Sequence, residues 1–220
     1  MATTDRIGQQ KISRKEREKY ARKEEILKAA RELFARKGYH NTTLEEIAQH
    51  ADFGKGTIYN YFRSKEELLY GIIDKLTFEM LHLAKSSVMG TDSGAREKLT
   101  AYAREMMSYS RKNSDLFQII MREMHRLNAE EHDARLKQFK AGIKKVWAIL
   151  AQPIRAEMKT GKIKARDALK VAALFDSMIR FYFFKQVGKL RSRKEDETDE
   201  AVEFVVSIFF DGIAGQKSKG

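Results

Sequence analysis

The chain has 220 residues, of which 42% are hydrophobic and 34% are charged, and its formal net charge is +12. It contains no cysteine, which excludes disulfides, thiolate metal sites and cysteine nucleophiles. No apolar run approaches the roughly 18 residues that span a bilayer, and the N-terminus has no hydrophobic secretory segment, so we expect a cytoplasmic protein that does not bind membranes. A single proline and alternating charged and apolar residues predict an all-α fold, with a small N-terminal module followed by a larger C-terminal helical bundle.

Residues 11–23 form the densest basic segment, with seven lysines and arginines against two glutamates. One hypothesis is an N-terminal arm or helix extension that lies along the phosphate backbone of DNA or enters the minor groove. A solvated, partly disordered tail explains the same charges equally well. Because the remaining positive charge is spread along the chain, net charge alone does not identify a nucleic-acid partner.

Residues 42–62 have the pattern of two short helices around a tight turn. Thr43 and Glu46 have the spacing of a capping box, so a helix is predicted to begin near residue 44. Its apolar face consists of Leu44, Ile47 and Ala48. Gly54 is expected to end this helix, since glycine adopts a positive φ without a Cβ penalty.

The second short helix is predicted over residues 55–62, with Ile58 and Phe62 anchored in the core. Gly56 costs such a helix about 1 kcal/mol relative to alanine, which suggests that backbone approaches a phosphate or base edge there. Lysine and tyrosine suit phosphate, threonine a phosphate or a thymine methyl, and asparagine an adenine edge. The side chains left for such a partner are Lys55, Thr57, Tyr59, Asn60 and Tyr61. An ordinary pair of surface helices is the alternative, and the complete pattern disfavours it.

This segment resembles the DNA-binding signature of the TetR family of transcriptional regulators. The resemblance includes paired threonines before the first helix, a Lys-Gly-Thr-aromatic helix, and the sequence SKEELL at residues 64–69. Residues 29–39, with the sequence AARELFARKGY, are similar to the end of the family's first helix. The resemblance covers roughly residues 23–75. It departs from the usual pattern at Asp52, Phe53 and Gly54, where glycine, valine, and serine or threonine are usual, so no hydroxyl contact is expected at residue 54.

The resemblance implies a helix-turn-helix within a three-helix DNA-binding module, and a C-terminal bundle for ligand binding and dimerisation. The expected organisation is a basic extension at 1–20, a DNA-binding domain at 21–68, an effector-binding and dimerisation domain at 69–216, and a tail at 217–220. The expected function is a sequence-specific repressor that a small effector releases from a palindromic operator in double-stranded DNA. The DNA-binding residues are predicted to be Thr42, Thr43, Lys55, Gly56, Thr57, Tyr59, Asn60, Tyr61 and Lys65. Of these, Thr43 and Lys65 are expected to clamp the DNA backbone.

Helix start and stop signals are also present along the rest of the chain. Helices are predicted at about 65–85, 95–112, 115–124, 130–158, 168–187 and 201–213. Pro153 is expected to kink its helix or start a new segment, Gly161 to end that helix in the left-handed conformation, and Asp167 to cap the next one. The charged residues 191–197 are expected to form a solvated loop.

The bundle is rich in methionine and aromatic residues, which can line an adaptable apolar pocket. Such residues are also common core residues, so each one has that alternative. The candidate pocket residues are Tyr102, Met106, Phe117, Met121, Met124, Trp147, Phe175, Met178 and Tyr182. As a set they favour an apolar or aromatic effector, whose identity the sequence does not give, and His125 and Arg180 could add polar specificity.

The last two helices are apolar over more than one face, so each must be buried either in its own core or against a partner. In the resembled family the corresponding helices pair with their copies in a homodimer. The residues that this correspondence places in the interface are Val171, Phe175, Ile179, Val202, Val205 and Phe209.

No catalytic pattern is visible: the sequence shows neither a nucleophile paired with a base nor a phosphate-binding loop after a strand. His125 and His132 lie seven residues apart and are the best metal-ligand candidates, but two ligands without a third do not predict a site. We therefore expect no enzyme activity, no cofactor and no metal. The remaining alternative is a helical interaction protein that binds membranes or acidic partners through its basic N-terminus.

Overall fold

The computed structural model describes residues 13–90, 92–129, 134–164, 167–190 and 195–212, and within them the side chains of residues 121, 124–129, 183–190 and 195–197 are not included. The described residues form nine α-helices and no strand, which confirms the predicted all-α class. The chain divides into two compact units, Met1–Leu69 and Tyr70–Gly220.

The first unit contains α1 (Arg14–Lys37), α2 (Leu44–His50) and α3 (Lys55–Tyr61). α1 begins with a capping box in which the Ser13 hydroxyl accepts from the Glu16 N–H and the Glu16 carboxylate accepts from the Ser13 N–H. Residues 14–23 of the basic segment are therefore helical, as the helix-extension hypothesis expects, and the proposed boundary at residue 20 falls inside α1. Residues 1–12 lie outside the described part of the chain.

The core of the first unit is made by apolar residues that recur at helical spacing on all three helices. α2 packs on both α1 and α3. The predicted apolar face of α2 is buried, as are the two predicted anchors of α3. The fully buried side chains of this core include Ile26, Phe34, Ile47, Ile58 and Phe62.

The second unit is built from the remaining helices, and α4 crosses the division between the units. These helices are α4 (Lys65–Met89), α5 (Ala95–Lys112), α6 (Ser114–Ala129), α7 (Ala134–Lys159), α8 (Ala168–Leu190) and α9 (Glu195–Asp211). α8 packs mainly on α7 and also on α5, and α9 packs mainly on α5. The core of the second unit includes Leu99, Tyr102, Met106, Val146, Leu150, Phe175, Ile179 and Val202.

Several helix boundaries differ from the predicted ones, and the largest differences are in α4, α6 and α9. α4 and α6 each extend further, to Met89 and Ala129, and α9 begins at Glu195 rather than at residue 201. Residues 195–197 are therefore helical and not part of a loop, while residues 130–133 and 191–194 lie outside the description.

α7 continues through Pro153, so the proline does not start a new segment. Pro153 is itself buried, together with Leu150 and Ile154 on either side of it. Burial of this apolar stretch offsets the hydrogen bond that proline cannot donate.

The predicted stop and start signals on either side of residues 162–166 are confirmed. Gly161 has φ 75°, and the Lys162 N–H donates to the Glu157 carbonyl at 3.0 Å, which ends α7 in a Schellman motif. The Asp167 carboxylate accepts from the backbone N–H groups of Leu169 at 2.9 Å and Lys170 at 3.1 Å, and so caps α8.

α4 and α7 approach each other closely at Gly142. A Cβ at this position would lie far inside van der Waals contact with Cγ2 of Thr77. The missing side chain is therefore what allows the two helices to meet there. Within the described ranges, no helix is both long enough and apolar enough to cross a membrane.

Candidate functional site

The turn between α2 and α3 is a Schellman motif centred on Asp52. The Phe53 N–H donates to the Ala48 carbonyl at 2.9 Å, and the Asp52 N–H donates to the Gln49 carbonyl at 3.2 Å. Asp52 has φ 60°, whereas Gly54 has φ −64° and serves as the N-cap of α3. The prediction that Gly54 supplies the positive φ is therefore wrong. The left-handed residue follows the helix C-cap directly, and Asp52 occupies that position because aspartate tolerates it better than most residues do.

α3 presents most of its predicted DNA-contacting residues to solvent. Lys55, Gly56 and Asn60 are exposed, Tyr59 is 42% exposed, and Thr57 and Tyr61 are half-buried. A Cβ added at Gly56 would meet no atom within 4 Å, so the protein fold does not require a glycine there. We call the predicted contact residues Lys55, Gly56, Thr57, Tyr59, Asn60 and Tyr61 the DNA-reading surface.

A carboxylate from α2 holds two members of this surface. Oε1 of Glu45 lies 2.7 Å from Nζ of Lys55 and accepts a 3.1 Å hydrogen bond from the hydroxyl of Tyr59. The Lys55 hydrogen bond, with a smaller contribution from Tyr59, lowers the pKa of the Glu45 carboxyl, and the same carboxylate raises the pKa of Lys55. Sequence reasoning did not identify Glu45, although an acidic residue beside a basic surface could have drawn attention to it.

The paired threonines have different positions. The Thr43 hydroxyl accepts from the Glu46 N–H at 3.2 Å and caps α2, while its side chain remains exposed. Thr42 is only 1% exposed, and its hydroxyl donates to the Gly38 carbonyl at 2.9 Å. The predicted DNA contact of the Thr42 side chain therefore does not agree with its position, because the loop between α1 and α2 buries it.

Lys65, the other expected backbone clamp, lies at the start of α4. Its ammonium donates to the His40 carbonyl at 3.1 Å and stands 4.6 Å from the centroid of the Tyr39 ring. Lys65 therefore also ties α4 to the loop that follows α1.

An open concavity of about 360 Å³ lies beside the turn. Its lining combines residues of α2, the turn and the first residue of α3. The lining residues are Glu45, Ala48, Gln49, Asp52, Phe53, Gly54 and Lys55.

A second polar site lies inside the second unit, around a fully buried carboxylate. Asp176 accepts hydrogen bonds from the Tyr102 hydroxyl at 2.8 Å and from Nε1 of Trp147 at 2.8 Å, and its Oδ2 lies 2.9 Å from a terminal nitrogen of Arg180. Burial, followed by the charge of Asp176, raises the pKa of Tyr102 well above its usual 10.0. We call Tyr102, Trp147, Asp176 and Arg180 the buried polar cluster, in which Tyr102 and Asp176 are fully buried and Trp147 and Arg180 are half-buried.

The comparisons with known proteins agree with this geometry. The model of bacterial regulatory proteins of the tetR family matches residues 26–71, which contain α2 and α3. The HTH-type transcriptional repressor KstR2 of Rhodococcus jostii is 27% identical over 201 residues, covering 89% of this chain and 93% of that protein.

The chain belongs to the TetR family of transcriptional regulators. The uncharacterized HTH-type regulator YhgD of Bacillus subtilis is 43% identical over 67 residues, which cover 30% of this chain and 35% of YhgD. The structure of FadR from Bacillus subtilis in complex with stearoyl-CoA superimposes with a TM-score of 0.69 at 21% identity, covering 87% of this chain and 99% of FadR, and shows a shared fold. The predicted DNA-binding transcriptional regulator is confirmed by the family match and by KstR2, and the alternative of a helical interaction protein is not favoured.

In this TetR-family chain, the structure brings Tyr102, Trp147 and Arg180 together but leaves several other pocket candidates in ordinary core positions. Met106, Phe117 and Phe175 are each at most 4% exposed, whereas Met178 and Tyr182 are half-buried. The side chains of Met121, Met124, His125 and His132 lie outside the described part. Asp176, the centre of the cluster, was missed; its only local signal is a charge inside an apolar helix, four residues before an arginine.

The predicted dimer residues divide into buried and half-buried side chains. Four of them, Phe175, Ile179, Val202 and Val205, are at most 3% exposed within the single chain, so they belong to its own core. Val171 and Phe209 are half-buried, and the Phe209 ring stacks edge-on against Phe175 at 4.8 Å. α8 and α9 instead expose Leu174, Phe181 and Phe204, at 63%, 64% and 54%. The four buried residues lie on the inner sides of α8 and α9, which the sequence could not distinguish from the outer sides.

Proposed function

We propose that this chain is a repressor that binds a palindromic operator as a homodimer and leaves it when a small apolar ligand binds the second unit. The observation that carries the DNA part is α3 itself: its two apolar anchors are buried, while Lys55, Gly56 and Tyr59 are exposed. This division between anchored and exposed faces is the one that a recognition helix needs in a major groove.

The homodimer is supported by the outer faces of α8 and α9. Three large apolar side chains, Leu174, Phe181 and Phe204, are more than half exposed there. Clusters of exposed apolar residues mark interaction surfaces in soluble proteins. Two copies related by a two-fold axis would present two recognition helices to half-sites about 34–36 Å apart, which requires a palindromic site.

Selection of bound duplexes from a random pool, with the purified full-length chain, tests the operator. The expected result is an enriched palindrome whose half-sites are separated by about one helical turn. Enrichment of a single half-site would contradict the dimeric arrangement, and the absence of any enrichment would contradict sequence-specific recognition.

For the effector, we propose a fatty acyl thioester of coenzyme A. The family relative FadR was crystallised with stearoyl-CoA, and the bundle of the present chain is rich in the flexible and aromatic residues that suit an acyl chain. The buried polar cluster offers a place for the thioester carbonyl. Nε of Arg180 is buried and has no hydrogen-bond acceptor among the described residues, and buried donors of this kind require an acceptor.

Trp147 provides a direct readout of this proposal, because it is the only tryptophan of the chain and its indole N–H donates to Asp176. Addition of stearoyl-CoA is expected to change the intensity or the wavelength of its fluorescence and to release the operator at similar concentrations. Coenzyme A without an acyl chain serves as the control and is expected to do neither. Fluorescence and DNA binding that do not respond to acyl-CoA chains of any length would refute this effector class, while leaving DNA recognition intact.

The coupling is proposed to run through α4, which begins at Lys65 in the first unit and ends at Met89 in the second. A ligand that prefers the released conformation by a few kcal/mol suffices to shift the equilibrium.

A further inference from the structure

We propose that Glu45 determines the specificity of DNA binding by competing with DNA for Lys55 and Tyr59. This inference rests on the proposed function of α3 in DNA recognition. In the unbound protein the Glu45 carboxylate occupies two donors of the DNA-reading surface, so each donor reaches DNA only by exchanging Glu45 for an acceptor on the duplex.

The contacts of Glu45 with Lys55 and with Tyr59 form and break together. Lys55 and Tyr59 are four residues apart on α3 and therefore share one helix face. One oxygen of Glu45 meets both donors, at 2.7 Å from Nζ and 3.1 Å from the tyrosine hydroxyl. The three groups are surface groups: the side chain of Lys55 is 67% exposed and that of Glu45 is 45% exposed.

Glu45 contributes little to the stability of the fold. The residues that fix α2 in the core are Leu44, Ile47 and Ala48, which are buried, and the cap of α2 is made by Thr43 and Glu46. Ion pairs between exposed side chains contribute little to stability. The charge of Glu45 therefore acts mainly on what approaches α3 from outside.

For random DNA, the consequence is a lost phosphate contact. Non-specific binding depends on lysines and arginines that neutralise phosphates and release counterions. Each neutralised phosphate contributes about 0.9 to the steepness with which log affinity falls against log salt concentration. Lys55 is already neutralised by Glu45, and the carboxylate itself repels a phosphate. The lysine therefore contributes little to binding on sequences that offer only the DNA backbone.

A cognate site offers more than its backbone. Guanine presents the O6 and N7 acceptors to a lysine, and a tyrosine hydroxyl can bond a phosphate whose position is fixed by the rest of the interface. These acceptors replace both hydrogen bonds of Glu45 at once. Glu45 thus weakens binding to random DNA more than binding to the operator, and raises the ratio of the two affinities.

The test is the variant Glu45→Gln, which removes the charge and keeps the size of the side chain. Affinities for the selected operator and for a random duplex are measured by fluorescence anisotropy between 50 and 200 mM salt. For random DNA, the variant is expected to bind several-fold more tightly at the lowest salt, with a salt slope steeper by about 1. The operator affinity is expected to rise by a smaller factor, so that the specificity ratio falls.

Two further variants serve as controls. Glu105→Gln changes the net charge by the same amount at an exposed position of α5 and is expected to leave both slopes unchanged. In the Lys55→Gln background, the effect of Glu45→Gln on the slope is expected to disappear, because the lysine that it releases is absent. A far-ultraviolet circular dichroism melt of each variant establishes that the fold is retained.

Each other outcome contradicts the inference in a recognisable way. An unchanged random-DNA slope in Glu45→Gln would show that the ion pair does not restrain Lys55. Equal losses of affinity for both duplexes would show that Glu45 positions Lys55 and Tyr59 for DNA instead of competing with it. If the unaltered protein bound neither duplex, the proposed function itself would fail, and the inference with it.

Discussion

The hydroxyl of Tyr102 donates a 2.8 Å hydrogen bond to the carboxylate of Asp176, and both side chains are completely buried. The bond joins α5 to α8, while Trp147 adds α7 through the second oxygen of the same carboxylate. A buried charge is tolerated only when it is paired and hydrogen-bonded, and Arg180 supplies the opposite charge at 2.9 Å. Three helices of the second unit therefore meet at one carboxylate.

Tyr102→Phe is expected to destabilise the second unit by about 1–3 kcal/mol, because it leaves one oxygen of a buried carboxylate without its donor. Urea unfolding followed by circular dichroism measures this change. The matched control is Tyr182→Phe, at a half-buried tyrosine whose ring lies 6.0 Å from Phe204, and it is expected to cost less. Equal costs for the two variants would contradict a special role of the Tyr102 hydroxyl.

The stability of the protein is expected to fall at alkaline pH, in part because of Tyr102. Burial and the neighbouring Asp176 raise the pKa of this tyrosine above 10.0, so the folded state keeps it protonated. Its contribution is complete below the pKa of an unfolded tyrosine, near 10, and is lost as the pH rises toward the raised folded pKa. Unfolding free energies measured between pH 8 and pH 11 should decline more steeply for the unaltered protein than for Tyr102→Phe. Parallel curves would show that other groups cause the decline.

Gly142→Ala is expected to destabilise the bundle by about 1–3 kcal/mol, the usual cost of overpacking. The new Cβ would clash with Cγ2 of Thr77, so the threonine side chain or the two helices would have to shift. Thermal unfolding measures the loss. The double variant Gly142→Ala, Thr77→Ser removes the clashing methyl group and is expected to recover most of the stability; no recovery would place the cause elsewhere than at this contact.

Gly56→Ala is expected to increase the stability of the first unit while it weakens operator binding. No atom stands within 4 Å of the added Cβ, and alanine favours a helix over glycine by about 1 kcal/mol, so the first unit should become more stable. Operator affinity is expected to fall by tenfold or more, because the methyl group prevents close approach of α3 to DNA. Denaturant unfolding and an operator titration give the two quantities. Unimpaired DNA binding by the stabilised variant would remove Gly56 from the predicted contact residues.

Phe204→Glu is expected to convert a homodimer into monomers, since it places a charge on the exposed apolar face of α9. Sedimentation velocity measures the mass. Phe78→Glu, at a side chain of α4 that is 68% exposed, is the control and is expected to leave the mass unchanged. A dimer that survives Phe204→Glu, or a monomeric unaltered protein, would contradict the proposed interface.

Local signals in the sequence predicted much of this fold, because the interactions behind them join residues only two to five positions apart. The capping box of Thr43 and Glu46, the left-handed Gly161 and the cap at Asp167 all formed where they were expected. The buried faces of α2 and α3 were likewise predicted by the periodicity of apolar residues. The family signature, which lies in this same segment, gave the DNA-binding role.

The tertiary structure decided what depends on residues far apart in the chain. Asp176 is buried beside Tyr102 and Trp147, which are 74 and 29 residues away, and no local pattern predicts that arrangement. α8 and α9 are apolar on several faces, so only their packing on α5 and α7 separates the core side, with Ile179, from the exposed side, with Phe204. The apolar composition of these helices determined that they must be buried. It did not determine which neighbouring helix covers which face, because that depends on how the helices pack together.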